Sequence, residues 1–394
     1  MNHLRLCCMS GAEDLWRYCR GDYGYHPIMI GDVLHSRYRI VDKLGFGSYS
    51  TVWLAWGKSD RQYLALKVGV ADGVLHEAEI LRKLSLSQSS SSSPHPGRSS
   101  MPIAFDEFQV HCPNGSHQCY TRRPARCDLR EISYSRLFSL DVARSLSGGL
   151  TLAIAYIHSR GFAHGDIHLP NVLLKLPSSF DHLSIEDAVV PIFLGRYAGD
   201  LKLCEAQIML SDFGEAFAPD LQTRLGKDCH TPPAMRPPEA AFGADKPLSH
   251  SADVWSLAVA IWEILGMKAN FSMEYVPEDE IIAQWIELLG TMPKEWLEQW
   301  ERRAEWFDDA GRSTRGRWVW PPMQQGFEDC IQGPRRKLGM GEYSSEETTA
   351  ILDLMGRMLA FCPEERPSVD EVLESEWMVK WVMPDYHRSR QMEQ

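Results

Sequence analysis

The sequence predicts an α+β protein of two lobes, in which a small antiparallel β-sheet with one helix precedes a larger, mainly helical part. Short runs rich in β-branched and aromatic residues lie between residues 38 and 68, a composition typical of strands. Several segments of the C-terminal half carry an apolar face at helical spacing. A chain of 394 residues can form two lobes, and strands followed by helices, without alternation, indicate the α+β class.

The elements follow in chain order. An extension is expected over 1–37, strands over 38–44, 51–56 and 63–68, and a helix over 74–84, where apolar residues recur at helical spacing. A Ser/Pro/Gly-rich stretch at 85–100 is interpreted as a mobile loop. Further helices are predicted over 141–158, 252–265, 278–289 and 348–360. The predicted lobes are 38–125 and 126–382, with a tail at 383–394.

Composition narrows the class of protein. Apolar residues make up 44% and charged residues 24%, a normal balance for a soluble protein. No apolar run approaches the roughly 20 residues of a membrane helix, and the N-terminus is a poor signal peptide. The ten cysteines lack metal or disulfide spacing, so we expect reduced thiols in an intracellular protein of the cytoplasm, the nucleus or both. A net charge of −12 disfavours nucleic-acid binding and suits either a basic peptide substrate or simple solubility.

A glycine pair, Gly45 and Gly47, lies between the first two predicted strands. Glycines let a hairpin backbone approach phosphate groups closely, although most such pairs are ordinary turns. Ser50 stands where a third glycine would fall, and a strand follows it, which argues against a dinucleotide-binding fold. Val52 is placed to pack on an adenine ring.

Lys67 lies on a predicted buried strand, where an unpaired lysine is costly. It is either an edge-strand lysine in water or a clamp for the α- and β-phosphates of a nucleotide. A clamp requires an acidic partner from the following helix. Glu77 is favoured over Glu79, because Ile80 and Leu81 then face the sheet.

Two short motifs carry the strongest chemical signal. Asp166 precedes Asn171 by five residues, and Asp212 directly precedes Phe213-Gly214. Phosphoryl transfer from ATP needs one carboxylate that accepts the substrate hydroxyl's proton, together with an amide and a second carboxylate that hold Mg²⁺. The order of these motifs after a Gly-rich loop and a lysine makes the combination specific.

With these motifs the chain resembles a eukaryotic protein kinase over about residues 38–382. The resemblance includes Pro237-Pro238-Glu239, Asp253-Val254-Trp255-Ser256-Leu257 and Arg366. It is closest to the SR-protein-kinase group and its fungal relatives, through residues 25–32, 113–117 and a spacer at 177–205. The fold implied is a bilobal protein-kinase-like fold, with a small antiparallel β-sheet and one helix in the first lobe and a mainly helical second lobe.

The resemblance implies a Ser/Thr kinase that uses ATP and Mg²⁺, acts as a monomer on a protein substrate, and contacts neither nucleic acid nor a membrane. The substrate implied is a serine in an Arg/Ser-rich segment. Glu239 would pair with Arg366, and Asp253 would tie the catalytic loop to its helix. The implied catalytic residues are Asp166, Lys67, Glu77, His168 and Asn171. The implied metal ligands are Asn171 and Asp212. The implied ATP contacts are Leu44, Gly45, Gly47, Ser48, Ser50, Val52, Ala65 and Lys67.

Several positions depart from the kinase pattern. Gly165 replaces an arginine that usually pairs with a phosphorylated activation loop, so we expect activity without that phosphorylation. His168 replaces a lysine that contacts the γ-phosphate, so slower transfer is expected, unless His168 is simply a hydrogen-bonded loop residue. Arg122 and Arg123 fall behind the expected adenine site and would either crowd it or turn outward. Thr231 lies one residue further from Glu239 than the kinase pattern predicts for its threonine anchor.

Three function classes compete on these residues. The leading interpretation is an active Ser/Thr protein kinase. A pseudokinase that binds partners without turnover is the alternative, and a small-molecule kinase is the third. The acidic run Glu278-Asp279-Glu280 opens a predicted helix and serves either to dock a basic substrate or to complement the helix dipole.

Overall fold

The computed structural model describes residues 24–47, 49–71, 76–86, 94–133, 137–176, 181–184, 198–266, 269–271, 276–308, 310–314, 316 and 318–392. These residues divide into two compact units. The first contains the described residues up to 86, residues 101–127 and the described residues between 175 and 184. The second contains residues 94–100, 128–174 and the described residues from 198 onward. The predicted α+β class is confirmed by a sheet-rich first unit and a helix-rich second unit.

The first unit contains an antiparallel sheet in the spatial order β1-β2-β3-β4-β6-β5. Its core joins Tyr38, Ile40, Trp53, Leu66 and Phe108, which alternate along their strands with more exposed positions. The strands are β1 (Val33–Leu34), β2 (Tyr38–Gly47), β3 (Ser50–Gly57), β4 (Gln62–Gly69), β5 (Asp106–Cys112) and β6 (Gly115–Arg122). The three predicted strands therefore correspond to β2, β3 and β4.

Helix α1 (His76–Ser85) follows β4 and buries Glu77, Ala78, Ile80, Leu81 and Leu84. Its apolar face has the spacing that predicted a helix over 74–84, although residues 74 and 75 lie outside the described chain. The same face carries one acid, Glu77, into the interior. A buried carboxylate requires a partner, and the site described below contains it.

The second unit is mainly helical. Its longest helix, α3 (Leu140–Ser159), and the almost fully buried α5 (His250–Leu265) form the core on which the shorter helices pack. Strand β7 (Ala125–Asp128) contains the chain junction between the units. The remaining elements are α2 (Leu129–Ser133), β8 (Val172–Lys175), β9 (Ile208–Leu210), α4 (Pro238–Phe242), α6 (Glu278–Leu289), α7 (Lys294–Gln299), α8 (Arg303–Trp306), α9 (Met323–Phe327), α10 (Gly333–Leu338), α11 (Ser345–Met358), α12 (Val369–Leu373) and α13 (Met383–Gln391).

The C-terminal residues differ from the tail that the sequence predicted over 383–394. They form α13, which packs on α3 and buries Tyr386. A Cβ at Gly148 would lie 2.8 Å from Val382 and 3.4 Å from Tyr386, so glycine there lets α13 approach closely. Ser145 Oγ donates to Ser389 Oγ at 3.0 Å. The polar composition of 383–394 concealed this packing, because the space is provided by a glycine far away in sequence.

The predicted mobile loop at 85–100 is wrong for its last residues. Ser85 ends α1, and Pro96–Ser100 form a 3₁₀ turn with Gly97 and Ser100 buried. A Cβ at Gly97 would lie 1.8 Å from the backbone oxygen of Leu152 on α3. Only glycine permits this approach, so backbone contact fixes the turn. The loop was predicted to be mobile because it lacks hydrophobic side chains, and a backbone contact does not need them.

The spacer predicted at 177–205 is described only in part. Within the first unit, the Asp181 carboxylate accepts the Tyr63 amide at 2.7 Å, and Leu183 packs against a cluster that contains Val41 and Leu54. Within the second unit, Ala198–Asp200 and Leu203–Glu205 form short 3₁₀ turns. No helix among the described residues is long and apolar enough to cross a membrane.

Candidate active site

The first unit buries one ion pair at the centre of its sheet. Strand β4 directs Lys67 toward α1, where Nζ donates to Glu77 Oε2 at 2.6 Å. The two side chains are 8% and 1% exposed. Glu79 instead pairs at the surface with Lys83, at 2.8 Å. The predicted choice of Glu77 over Glu79 is therefore confirmed, and a buried charge-assisted pair of this kind fixes the lysine in one position.

The glycine pair occupies the β2–β3 hairpin. Gly45 pairs with Val52 and Gly47 pairs with Ser50, while Ser48 lies outside the described residues. A Cβ at Gly45 or Gly47 would meet no atom within 4 Å, so the hairpin is open on that side. Tyr25 Oη donates to the backbone oxygen of Gly47 at 2.7 Å, which anchors the hairpin to the N-terminal segment.

Two adjacent arginines at the end of β6, Arg122 and Arg123, differ in their burial. Arg123 is exposed, whereas Arg122 is 7% exposed and pairs in register with Ala65. Arg122 Nη1 donates to the Arg123 backbone oxygen at 3.4 Å. Burial raises the pKa of the neighbouring Tyr120, and the positive charges of Lys67 and Arg122 oppose that shift. Of the two predicted possibilities, Arg123 turns outward and Arg122 keeps its cation inside the first unit.

In the second unit, a two-strand pairing brings the two catalytic motifs together. Val172 of β8 pairs with Leu210 of β9, so the residue before β8 lies beside the residue after β9. The Ser211 amide accordingly donates to the Asn171 backbone oxygen at 2.8 Å. Asp212 follows, exposed and in a left-handed conformation with φ of 60°. Such strain in a non-glycine residue is commonly associated with functional sites.

Asp166 is held by its own loop. Asn171 Nδ2 donates to both the backbone oxygen and Oδ2 of Asp166, each at 2.9 Å. Oδ1 of Asp166 is buried and accepts no hydrogen bond from any described residue. Because its Nδ2 is committed to Asp166, Asn171 presents its amide oxygen as the remaining ligand atom. The loop thus fixes one carboxylate oxygen through Asn171 and leaves the other without a hydrogen-bond partner among the described residues.

His168 lies against the same carboxylate. Its Nε2 is 3.3 Å from Asp166 Oδ2 and 3.2 Å from Asn171 Nδ2, while Nδ1 is buried without a partner among the described residues. Two further acids, Asp128 and Glu263, interact electrostatically with this ring. Burial raises the pKa of Glu263 to about 7, and the charges of Arg130 and His168 only partly oppose it. Burial likewise raises the pKa of Asp128 and Glu131.

Asp253 anchors the catalytic loop from α5, as predicted. Its carboxylate accepts the amides of His164 and Gly165 at 2.7 and 2.9 Å, and it also lies 2.9 Å from His158 Nε2. Burial alone would raise the pKa of Asp253. The His158 contact, the charge of His164 and the Gly165 amide outweigh burial and hold the pKa below its usual value.

Gly165 is required by its conformation. Its φ is +75°, and a Cβ there would lie 2.6 Å from the backbone oxygen of Glu215. An arginine cannot replace it without moving the activation segment, the stretch from Asp212 to Glu239 that contains Glu215. Arg224 supplies a cation instead: its guanidinium pairs with the Glu215 carboxylate and donates to the Asp228 backbone oxygen at 3.0 Å. The activation segment therefore contains an internal ion pair that involves no phosphate.

Thr231 reaches the catalytic loop despite its unexpected spacing. It is 2% exposed, and its Oγ1 donates to the Gly165 backbone oxygen at 2.7 Å. The predicted Glu239–Arg366 pair is confirmed by two hydrogen bonds of 2.8 and 2.7 Å. The Arg366 side chain is fully buried, and its guanidinium also faces the Trp255 ring at 5.1 Å. These contacts fix the C-terminal part of the segment between Asp212 and Glu239.

Sequence reasoning missed two residues of this site. Arg224 belongs to no recognised motif, and its acceptor Glu215 lies nine residues away, at the end of the short 3₁₀ helix Phe213–Glu215. Glu263 looked like one polar residue in an apolar helix. A single acid on an otherwise apolar helix face was the available signal, since a buried acid without a partner is unusual.

Known proteins of similar sequence indicate the family of this chain. A sequence profile of the protein kinase domain matches residues 38–378. A serine/threonine protein kinase of Aspergillus fumigatus is 27% identical, with 90% of this chain and 88% of that protein covered. A Physarum polycephalum kinase named serine/threonine-protein kinase SRPK is 26% identical over 94% of this chain and 91% of that protein. Human SRSF protein kinase 3 is 34% identical over 43% of this chain and 30% of its own length.

A solved kinase domain matches the fold with a TM-score of 0.65 at 17% identity, covering 90% of this chain and 98% of the solved domain. These matches confirm the resemblance to serine/threonine kinases and to the SR-protein-kinase group. The profile spans most of the sequence, and the chain therefore belongs to the protein kinase family.

Proposed function

We propose that the protein transfers the γ-phosphoryl group of ATP to a serine hydroxyl of a protein substrate. The observation that carries this proposal is the Asp166 carboxylate, which has one oxygen fixed by Asn171 and the other buried and unpartnered. That is the arrangement a general base needs, because the free oxygen can accept the hydroxyl proton. The serine oxygen then bonds to the γ-phosphorus as the bond to the ADP oxygen breaks.

ATP positioning is assigned to the first unit. Lys67, held by Glu77, would contact the α- and β-phosphates. The hairpin glycines Gly45 and Gly47 would admit the phosphates, and Leu44, Ser48, Ser50, Val52 and Ala65 complete the proposed nucleotide contacts. The buried Lys67–Glu77 pair supports this assignment, because it holds the amine in place before any ligand arrives.

The donor set in the second unit fits Mg²⁺. Mg²⁺ prefers oxygen ligands and is often held by one or two protein groups together with substrate phosphates. Asn171 and Asp212 supply an amide oxygen and an exposed carboxylate next to the β8–β9 pairing. When bound, the ion would neutralise charge on the phosphates. We propose these two residues as its ligands.

The substrate is proposed to be basic and Arg/Ser-rich. Asp128 and Glu263 interact electrostatically with the catalytic-loop histidine, Glu131 interacts with Asp128, and burial raises the pKa of all three acids. A substrate arginine that paired with one of these carboxylates would offset the cost of burying its charge. The names of the SRSF and SRPK relatives agree with this substrate class.

The three acids at the start of α6 are not equally suited to dock a substrate, because one of them is already hydrogen-bonded within the fold. Asp279 already accepts hydrogen bonds from Trp300 Nε1 at 2.6 Å and from Arg302 Nη1 at 2.9 Å. Glu278 lies 3.6 Å from Arg236 and is 54% exposed. Asp279 therefore stabilises the fold, and we assign any docking role to Glu278 and Glu280.

The test is transfer of radiolabelled phosphate from ATP·Mg²⁺ to an Arg/Ser peptide, with a Lys/Ser peptide of equal charge as the matched substrate control. We expect the Arg/Ser peptide to be preferred, and Asp166→Asn to reduce kcat by about 10²–10⁴-fold. Equal use of the two peptides would contradict the Arg/Ser assignment. No transfer to either, with ATP bound, would contradict the kinase activity.

A pseudokinase is the second candidate, and buried Arg122 favours it. Arg122 pairs in register with Ala65, a proposed ATP contact, and a buried cation beside that contact would crowd an adenine. Thermal unfolding with and without ATP and Mg²⁺, in wild type and in Arg122→Met, separates the two functions. Stabilisation of wild type by ATP together with phosphate transfer in the radiolabel assay supports the kinase, whereas stabilisation of the variant alone, with no transfer by wild type, supports the pseudokinase.

A further inference from the structure

A thiol and an imidazole face each other at the β5–β6 hairpin, within the first unit. Cys112 Sγ lies 3.1 Å from His117 Nε2. The Asn114 amide donates to the same sulfur at 3.3 Å. Cys112 pairs with Gly115 at the turn and is partly exposed, so small reagents can reach it.

His117 is oriented by a third group. It is fully buried, and its Nδ1 lies 2.8 Å from the backbone oxygen of Gly69. A carbonyl oxygen can only accept a hydrogen bond, so Nδ1 carries the hydrogen. In the neutral ring Nε2 then has a lone pair directed at the Cys112 thiol. Nucleophile, base and orienting group are thus aligned, as activated nucleophiles require.

We propose that Cys112 is a redox-sensitive modification site, activated by His117 for exchange with low-molecular-weight disulfides such as oxidised glutathione. Cys112 Sγ attacks one sulfur of the disulfide as its proton moves to His117 Nε2. The new S–S bond forms, the old S–S bond breaks, and the leaving thiolate takes the proton from Nε2. The products are a mixed disulfide at Cys112 and one free thiol, so atoms and electrons balance.

Other cysteines of the chain provide internal controls. Cys119 is 2% exposed on β6, and burial raises the pKa of its thiol to about 12. Cys362, in the second unit, is partly exposed like Cys112. Its pKa is raised by burial and by the charges of Glu365 and Glu364. Cys362 therefore offers a reachable thiol in an acidic environment, against which the effect of a neighbouring imidazole can be measured.

The experiment exposes the full chain to excess oxidised glutathione, quenches with N-ethylmaleimide at timed intervals, and quantifies each cysteine by peptide mass spectrometry. We expect Cys112 to form the mixed disulfide at least about tenfold faster than Cys362, and Cys119 to remain unmodified. Equal rates at Cys112 and Cys362 would overturn the proposal without requiring any variant.

His117→Asn is the matched variant, because the asparagine amide can still donate to Gly69 while the basic nitrogen is lost. We expect the Cys112 rate to fall to about that of Cys362, with the Cys362 rate itself unchanged. A Cys112 rate equal to wild type, in a variant whose thermal unfolding is preserved, would show that the imidazole has no role. Phosphoryl transfer is not measured here, so the outcome is independent of the proposed kinase function.

Discussion

The two units differ in how the buried side chains of the candidate site are paired. In the first unit, Lys67 and Glu77 are paired at 2.6 Å and shielded from solvent. In the second, Asp166 Oδ1, His168 Nδ1 and Glu263 Oε2 are buried without a hydrogen-bond partner among the described residues. Buried polar atoms are normally paired, because an unpaired one costs about 1–3 kcal/mol. The buried lysine of the first unit is therefore paired before any ligand binds, whereas the second unit retains unpaired atoms beside the catalytic loop that a bound substrate could satisfy.

The largest effect is expected from disrupting the buried Lys67–Glu77 pair of the first unit. Glu77→Gln removes the negative charge that pairs with buried Lys67, and we expect a loss of about 3–5 kcal/mol in the free energy of unfolding. ATP affinity should fall as well. Urea unfolding and ATP titration measure both quantities. Glu79→Gln, two residues further along the helix and at the surface, is the matched control. It should change neither the free energy of unfolding nor the ATP affinity. A Glu77→Gln protein as stable as wild type would show that the pair is not needed to hold Lys67.

The activation segment tests whether internal pairing replaces phosphorylation. Arg224→Ala removes the cation that binds Glu215, and we expect kcat to fall by about tenfold to a hundredfold as the segment loses its position. Phosphatase treatment of wild type should leave kcat unchanged. Arg224→Lys keeps the charge but loses the fork of donors, so an intermediate kcat is expected. Abolition of wild-type activity by phosphatase would contradict this account.

His168→Lys tests the catalytic loop of the second unit, where buried atoms lack partners among the described residues. A permanent cation should stabilise charge on the transferred phosphoryl group better than imidazole, and we expect kcat to rise by roughly tenfold. Steady-state kinetics at saturating ATP and peptide provide the measurement. His168→Gln preserves a neutral donor and should not gain activity. A His168→Lys enzyme no faster than wild type would favour a structural role for this loop histidine.

The smallest effect concerns Glu263. Its folded-state pKa of about 7 lies above the ordinary value of 4.5, so the folded protein binds more protons than the unfolded chain between those values. Stability from this group is therefore lost as pH rises through that window. We expect Glu263→Gln to stabilise the protein at pH 8 relative to pH 5 by about 1–3 kcal/mol compared with wild type. Urea unfolding of both proteins at the two pH values measures this, and parallel curves would contradict it.

Much of the fold was predictable because its signals are local. The apolar spacing of 278–289 predicted α6 with the bounds that the structure gives. The helix predicted over 141–158 corresponds to α3 at Leu140–Ser159. The failures at Pro96–Ser100 and α13 share one cause. Each depends on a glycine whose missing side chain leaves room for a distant segment: Gly97 for the backbone of Leu152, and Gly148 for the side chains of Val382 and Tyr386. The space around a glycine cannot be read from its neighbours in sequence.

The candidate site divides in the same way. Asp166, Asn171 and Asp212 were predictable because motif spacing and the order of motifs identify them. The Glu77 pairing followed from the helix face. Arg224 was not predictable, because its contacts join irregular segments. Thr231 was judged by its distance from Glu239 along the chain, whereas its hydroxyl is placed by the buried fold around Gly165.

The contact between Gly165 and Glu215 has a consequence for engineering this position. A Cβ at position 165 would lie 2.6 Å from a carbonyl oxygen, and the left-handed backbone disfavours most side chains in any case. Placing an arginine there to bind a phosphorylated residue would thus require coordinated changes in two segments that are distant in sequence.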